Sequence, residues 1–235
     1  MENTSIKLLT IQVGLPKTLG TSSASDPMDQ EWSTGFFKEP VSGPIWAGTT
    51  NLTGDGQADL RVHGGSDKAI NVYPFEHYAF WLDELDNKEL SNGAFGENFT
   101  VAGILEAKAC IGDIFELGGA LVQISQPRQP CWKLSRRWRI QDFVARVVRT
   151  GRTGWYFRVL REGNIQAGAA LVLVDRPYPE WTVAIANNIM LHRKEDYVAA
   201  HALAECPALS KSWKATLSRT TSTEIAADTS ARNSQ

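Results

Sequence analysis

Cysteine is scarce in this chain: three residues, Cys110, Cys131 and Cys206, among 235. They form no CxxC pair and leave one thiol over. That excludes a disulfide framework and points to a reducing compartment, expected to be the cytoplasm. Four thiolates for an iron–sulfur cluster are also missing. No GxGxxG follows a strand-like run and no GxxxxGK[ST] occurs, so the standard dinucleotide and nucleotide-phosphate loops are excluded. The four histidines never take the HExxH spacing, which argues against zinc. Charge of one sign is not in excess: 24 Lys and Arg against 26 Asp and Glu leave a net −2. Neither a nucleic-acid polymer nor a membrane is therefore expected as a partner. No stretch approaches the ~18 apolar residues of a membrane span. The opening MENTSIKLLT lacks a basic segment followed by a long apolar run, so no secretory signal is expected.

What is present reads as one large domain with an appendage. Hydrophobic residues make up 43% and charged residues 21%, ordinary values for a globular chain. Residues 5–13 read as a strand, and the polar stretch 18–34 as a loop. Between 35 and 65 the density of Gly and Pro predicts short strands and tight turns. YPFEHYAFWLDELDN predicts a helix with Pro74 in its first turn and Tyr78, Trp81, Leu82 and Leu85 at helical spacing. FGENFTV, ACIGDIFEL and ALVQIS read as strands, the last ending near Pro127, which cannot donate to a ladder. Residues 140–151 predict a second helix, with Gly151 as its C-terminal cap. Residues 155–174 predict a hairpin turning at Glu162–Asn164. The pattern is mainly β with inserted helices, an α+β chain with a β-barrel-like core over 1–178. Three helical runs then predict a small three-helix domain over 179–218, and the apolar-poor tail 219–235 is expected to be disordered.

Three motifs carry chemistry. In SQPRQPCWKL, Cys131 lies among Arg128, Lys133, Arg136 and Arg137. Cations near a thiol favour the thiolate, the nucleophilic and metal-binding form, and two prolines stiffen the backbone that holds it. Nucleophile and metal ligand both remain open on this reading. Cys110 and Cys206, in apolar runs, read as inert core thiols. In RVHGGSDKAI, His63 precedes two glycines whose amides can cradle an anion, with Arg61 and Lys68 adding charge. In FGENFT, Glu97 and Asn98 close a turn before a strand. His77 reads as structural. Trp132, Trp138 and Trp155 read as core rather than as stacking platforms.

Together these motifs resemble a known family. LRVHGGSDKAI, YPFEHY, FGENFT and GDIFELGGALVQISQPRQPCWKL, in that order, look like the MOSC domain, the molybdenum-cofactor sulfurase C-terminal domain. More closely they resemble the bacterial YiiM-type MOSC proteins, in which three helices follow the β-barrel. The resemblance covers about residues 5–217; it departs at Ser66, where the family commonly has proline after HGG. It implies a molybdenum cofactor (molybdopterin) whose metal takes a thiolate from Cys131. It also implies surroundings drawn from Arg61, His63, Lys68, Asn98, Gln126, Arg128 and Lys133, with Glu97 as a proton shuttle. The implied activity is reduction of N-hydroxylated compounds, hydroxylaminopurine-type bases among them, to amines. Electrons would come from an external donor, a reductase or ferredoxin-like protein. The rival readings are a sulfur carrier with a Cys131 persulfide, a non-catalytic molybdenum-cofactor carrier and, more weakly, a cysteine hydrolase. The C-terminal helices are candidates for homodimerisation or for donor docking.

Overall fold

A computed structural model describes residues 5–86 and 89–219. Strand β1 (Lys7–Val13) opens the chain, and a register shift between Leu8 and Thr10 lets both Leu8 and Ile11 face the core. The polar stretch after it is not all loop: its ends pair as β2 (Lys17–Leu19) and β3 (Trp32–Thr34). Short strands β4 (Glu39–Pro40) and β5 (Ile45–Ala47) follow, then the one-turn helix α1 (Leu60–His63) and a 3₁₀ turn, Ser66–Lys68.

Strand β6 (Ile70–Pro74) is buried along its whole length. Pro74 therefore ends a strand instead of opening the helix. Helix α2 (His77–Glu84) starts three residues later and buries Tyr78 and Trp81, while Leu82 is exposed. It crosses over to β7 (Phe99–Ala102), which runs parallel to β6, as a parallel pair requires. The other paired strands are antiparallel: β8 (Ile114–Leu117), β9 (Ala120–Pro127) and β10 (Trp155–Arg161) among them. Between β9 and β10 lie α3 (Trp132–Trp138), which the sequence reading did not expect, and α4 (Phe143–Thr150), capped by Gly151 at φ 68° as predicted.

The expected hairpin after β10 does not form. Residues Gly163–Ile165 are a separate strand, β11, which pairs with β5. The following strand β12 (Val172–Asp175) pairs with β8. Gly163 is pressed onto the β8–β9 turn so closely that a Cβ there would lie 2.4 Å from the Gly119 carbonyl carbon, which leaves no room for a free turn. The main sheet has the order β12-β8-β9-β10-β6-β7-β1-β4. It curls until β1 meets residues 168–171, with Leu8 N–H donating to Ala169 O and Leu171 N–H donating to Ile6 O.

After the barrel-like sheet come helix α5 (Val183–Leu191), helix α6 (Tyr197–Ala204) and helix α7 (residues 211–219). Arg219 thus ends a helix; the rest of the expected disordered tail lies outside the described residues. Val183, Ala186, Leu203, Trp213 and Leu217 share one apolar core with Ile70, Ile124 and Phe157 of the sheet. A second core joins Tyr73, Trp81 and Phe95 to Leu134, Phe143 and Val147, seating α2, α3 and α4 together. Trp155 is core; Trp132 is 53% exposed and is not. Among the described residues, no helix is long and apolar enough to cross a membrane.

Candidate functional site

Beyond Pro127 the chain leaves β9 and turns into α3, and Cys131 is the residue at that helix's N-terminal cap. Its backbone is extended (φ −116°, ψ 167°) and its carbonyl accepts the Leu134 N–H at 3.0 Å. The thiol is free and half-buried, open to a cleft. Cys110 and Cys206 are buried, and burial pushes both thiols up from their ordinary range.

The HGG motif forms the facing wall. Asp59 caps α1 by accepting the Arg61 N–H at 3.0 Å, and the helix breaks at Gly64. Gly65 takes φ 96°, a left-handed value that favours glycine, and starts the 3₁₀ turn. This turn brings His63 and Lys68 to the cleft beside Cys131, Arg128 and Lys133. Burial, and then Lys133, Lys68 and Arg128, hold the His63 pKa below its ordinary value. Burial likewise lowers Lys68, whose ammonium donates to Val62 O at 2.6 Å. Arg61 does not reach this wall. Its side chain is 89% exposed and ion-paired to Asp59 at 3.0 Å, because the capping geometry turns it outward.

The GEN turn and β9 sort their polar residues differently from the sequence reading. Glu97 is fully buried under the cleft and does not line it. Its carboxylate accepts from the Tyr78 hydroxyl at 2.5 Å, Gly93 N–H at 2.8 Å, Phe95 N–H at 3.0 Å and Thr100 hydroxyl at 3.0 Å. A carboxylate so filled is a structural hub, not a group placed to shuttle protons into the cleft. Gln126 also faces away: it accepts from the Ser212 hydroxyl of α7 at 3.2 Å and donates to Pro127 O at 3.1 Å. Asn98 does line the cleft, although its amide is committed to the Asn71 N–H and Gln12 O. Arg128 is 5% exposed; one amine donates to Phe95 O at 2.6 Å, while its other terminal nitrogen has no partner.

Lys38, Asp55, Asn71 and Tyr156 are among the cleft residues that escaped the sequence reading. Lys38 and Asp55 form a buried ion pair, the lysine held below its usual range by burial against the pull of Asp55. Tyr156 stands beside Arg128 and Cys131, and burial, against the pull of Arg128, raises its hydroxyl. Only the isolated lysine in the apolar run GFFKEPV offered a sequence signal for any of these. The cleft therefore joins one free thiol, a cationic wall of Lys68, Arg128 and Lys133 with His63 beside it, and a neutralised Lys–Asp pair. Among the described residues, no three His, Cys, Asp or Glu side chains come together as a metal site. A metal at Cys131 would thus have to bring most of its ligands with it.

Comparison with known proteins fits this geometry. Residues 59–172 match the MOSC domain family, and residues 181–219 match the YiiM-like, 3-alpha helix domain. The uncharacterized protein YflK of Bacillus subtilis is 44% identical over 92% of this chain and 94% of its own length. A protein of Gibberella moniliformis named "Reductase" is 36% identical over 76% of this chain, a match covering 32% of the fungal protein. The crystal structure of YiiM from Geobacillus stearothermophilus superposes with a TM-score of 0.76 at 37% identity, covering 92% of this chain and 99% of that one. With its barrel-like sheet, its thiol cleft and its three closing helices, the chain belongs to the MOSC family, in the YiiM-type group that carries the 3-alpha helix domain.

Proposed function

We propose that this protein is a molybdenum-cofactor-dependent reductase that converts N-hydroxylated compounds, such as hydroxylaminopurine-type bases, to amines, with electrons from an external reductase or ferredoxin-like donor. The observation that carries this reading is the free, half-buried Cys131 thiol in one cleft with Lys68, Arg128, Lys133 and His63. The donor set fits the cofactor. A soft thiolate is a reasonable ligand for such a metal. His63, Lys68, Arg128 and Lys133, which line the cleft, suit its anionic portion. The name of the fungal relative adds support.

When bound, the cofactor supplies two-electron reduction at the N–O bond. The overall balance is R–NHOH plus two electrons and two protons giving R–NH2 and water. The chain's own residues bind, orient and protonate. Lys133 and Arg128 hold negative charge near the thiol. Burial makes the Lys68 ammonium a stronger acid, so it is a source for a proton to the departing hydroxyl. Burial, and then its cationic neighbours, disfavour the charged form of His63, so it is better suited to accept a hydrogen bond than to add charge.

The test is purification from a host that makes the cofactor, metal analysis, and anaerobic assay with a chemical reductant and an N-hydroxylated base. Stoichiometric molybdenum and turnover, both lost in Cys131→Ala, are expected. Molybdenum that is absent, or indifferent to that substitution, would overturn the reading. A Cys131 thiol carrying one extra sulfur would favour the sulfur carrier, and cofactor without turnover the passive carrier.

A further inference from the structure

A second groove, of about 740 Å³, shares a wall with the Cys131 cleft. Arg128 and Gln129 line both, Pro130 lines the second, and Cys131, the next residue along the chain, lines the first. The groove runs between the end of α4 and helix α5, with α2 and the turn after β7 completing it. Leu105, Val148 and Leu191 are exposed there. Arg149, Arg152 and Arg193 stand among them. Arg152 lies over the Phe80 ring at 3.8 Å and Arg193 donates to Met190 O at 2.6 Å, so both guanidinium groups are held in place. On the same helix α4, Arg146 is paired with Asp142 and Glu84. Among the described residues, no carboxylate pairs in this way with Arg149, Arg152 or Arg193. The groove has two carboxylates of its own. Glu76 accepts the Gly103 N–H at 2.6 Å, and Glu106 is buried, accepting from the Gly154 N–H and bonded to His77, each at 2.8 Å. Three arginines against one accessible carboxylate leave the groove positive.

Exposed apolar side chains set among unpaired arginines are the composition of a protein interface, and the sign of the charge selects an acidic partner. The reaction proposed above takes two electrons from an external carrier. Cofactor and substrate fill the Cys131 cleft while they react, so the carrier has to approach from another face. The groove offers that face one peptide bond from Cys131. We propose that this groove docks an acidic electron-carrier protein, its carboxylates paired with Arg149, Arg152 and Arg193 and its redox centre set against the Arg128–Pro130 segment. The inference rests on the reductase reading and names the docking face and the charge of the donor. The carrier is oxidised and supplies the two electrons of the balance given above, and the two protons are drawn separately.

The test compares the holoprotein with the double variant Arg149→Glu/Arg193→Glu and with Lys17→Glu, a charge reversal exposed on β2 outside the groove. Binding of a small acidic ferredoxin is measured by sedimentation velocity at low salt. Turnover of an N-hydroxylated base is measured with that ferredoxin kept reduced by NADPH and ferredoxin reductase, and separately with dithionite. Wild-type binding is expected to fade as salt rises toward about 0.5 M. The double variant should bind ferredoxin on the order of tenfold more weakly or worse, and lose ferredoxin-driven turnover by a similar factor. Its dithionite turnover should stay within about twofold of wild type, which shows a folded, loaded protein. Lys17→Glu should match the wild type throughout. Ferredoxin binding and ferredoxin-driven turnover unchanged in the double variant overturn the proposal, as does a wild type that binds no ferredoxin. A wild-type dimer that the double variant dissociates would assign the groove to a second copy of the chain and overturn it equally. A wild type without dithionite turnover sinks the reductase reading instead, and the ferredoxin-binding comparison still decides the docking face.

Discussion

Glu97→Gln separates a structural carboxylate from a catalytic one. The native Oε1 serves three donors, Tyr78, Gly93 and Thr100, and Oε2 serves the Phe95 N–H. A glutamine keeps one oxygen, best placed for the three-donor side, and turns its NH2 toward the Phe95 N–H. One buried donor then loses its acceptor and faces another donor, at a cost of ~1–3 kcal/mol, while three charge-assisted bonds weaken to neutral ones. Together the loss comes to about 3 kcal/mol. That is a large fraction of the ~5–15 kcal/mol typical of a domain, and equivalent to a fall in Tm of roughly 6–12 °C at this chain length. Urea denaturation of both proteins gives the difference directly, and turnover per folded molecule is measured in parallel. Lower stability with kcat preserved within about twofold is expected. An unchanged urea midpoint, or a hundredfold loss of kcat in a protein of native stability, would refute the structural assignment and restore Glu97 as a proton carrier.

Three further outcomes are expected. A small thiol reagent should modify one cysteine, Cys131, in the native protein and all three in denaturant, as counted by mass spectrometry, because Cys110 and Cys206 are buried with raised pKa values. His63 has a folded pKa below its unfolded value, so below the ordinary histidine range of about 6.5 the unfolded chain binds the proton more readily and stability falls with pH. His63→Gln should flatten that slope between about pH 6.5 and pH 5, measured by urea midpoints; a slope equal to the wild type's would contradict it. Gly154 has φ 70° and a Cβ there would lie 2.1 Å from the Val72 carbonyl oxygen, so Gly154→Ala should cost more than ~2 kcal/mol by forcing β10 away from β6. A stability within ~0.5 kcal/mol of wild type would show that the strand pair yields more readily than the contact implies.

Local signals were the legible ones. Strand β1, the α4 helix with its glycine cap and the three C-terminal helices each carry their pattern within about a dozen residues. Helix α3 was missed because it follows two prolines, spans two turns, and is capped by Cys131, which is not among the usual capping side chains. The site divided along the same line. His63, Lys68, Arg128 and Lys133 sit in or beside motifs that also carry their neighbours. Lys38, Asp55, Asn71 and Tyr156 come from segments up to 118 positions apart, and only the order of the curled sheet brings them together. Glu97 and Gln126 look functional as residue types, but the turn before β7 folds Glu97 onto its own amides, and the register of β9 points Gln126 at α7.

The C-terminal helices bear on the cleft through one residue in particular. Asp67, in the 3₁₀ turn that carries Lys68, pairs with Arg158 of β10 at 2.8 Å. Its other carboxylate oxygen accepts the Lys211 N–H at the start of α7 at 3.0 Å, and its carbonyl accepts the Ser125 hydroxyl of β9. The Ser210 N–H donates to Ser125 O at 2.9 Å, and Ser212 reaches Gln126. The start of α7 therefore grips both the strand that delivers Cys131 and the turn that delivers Lys68, from the side away from the cleft. The thiol and the cationic wall sit on separate stretches of chain some sixty residues apart, and each alone could drift relative to the other. A helix bonded to both fixes their spacing, and a site that must match a ligand of fixed shape depends on that spacing. The 3-alpha helix domain accordingly acts as a brace for the cleft, whatever else its outer face contacts.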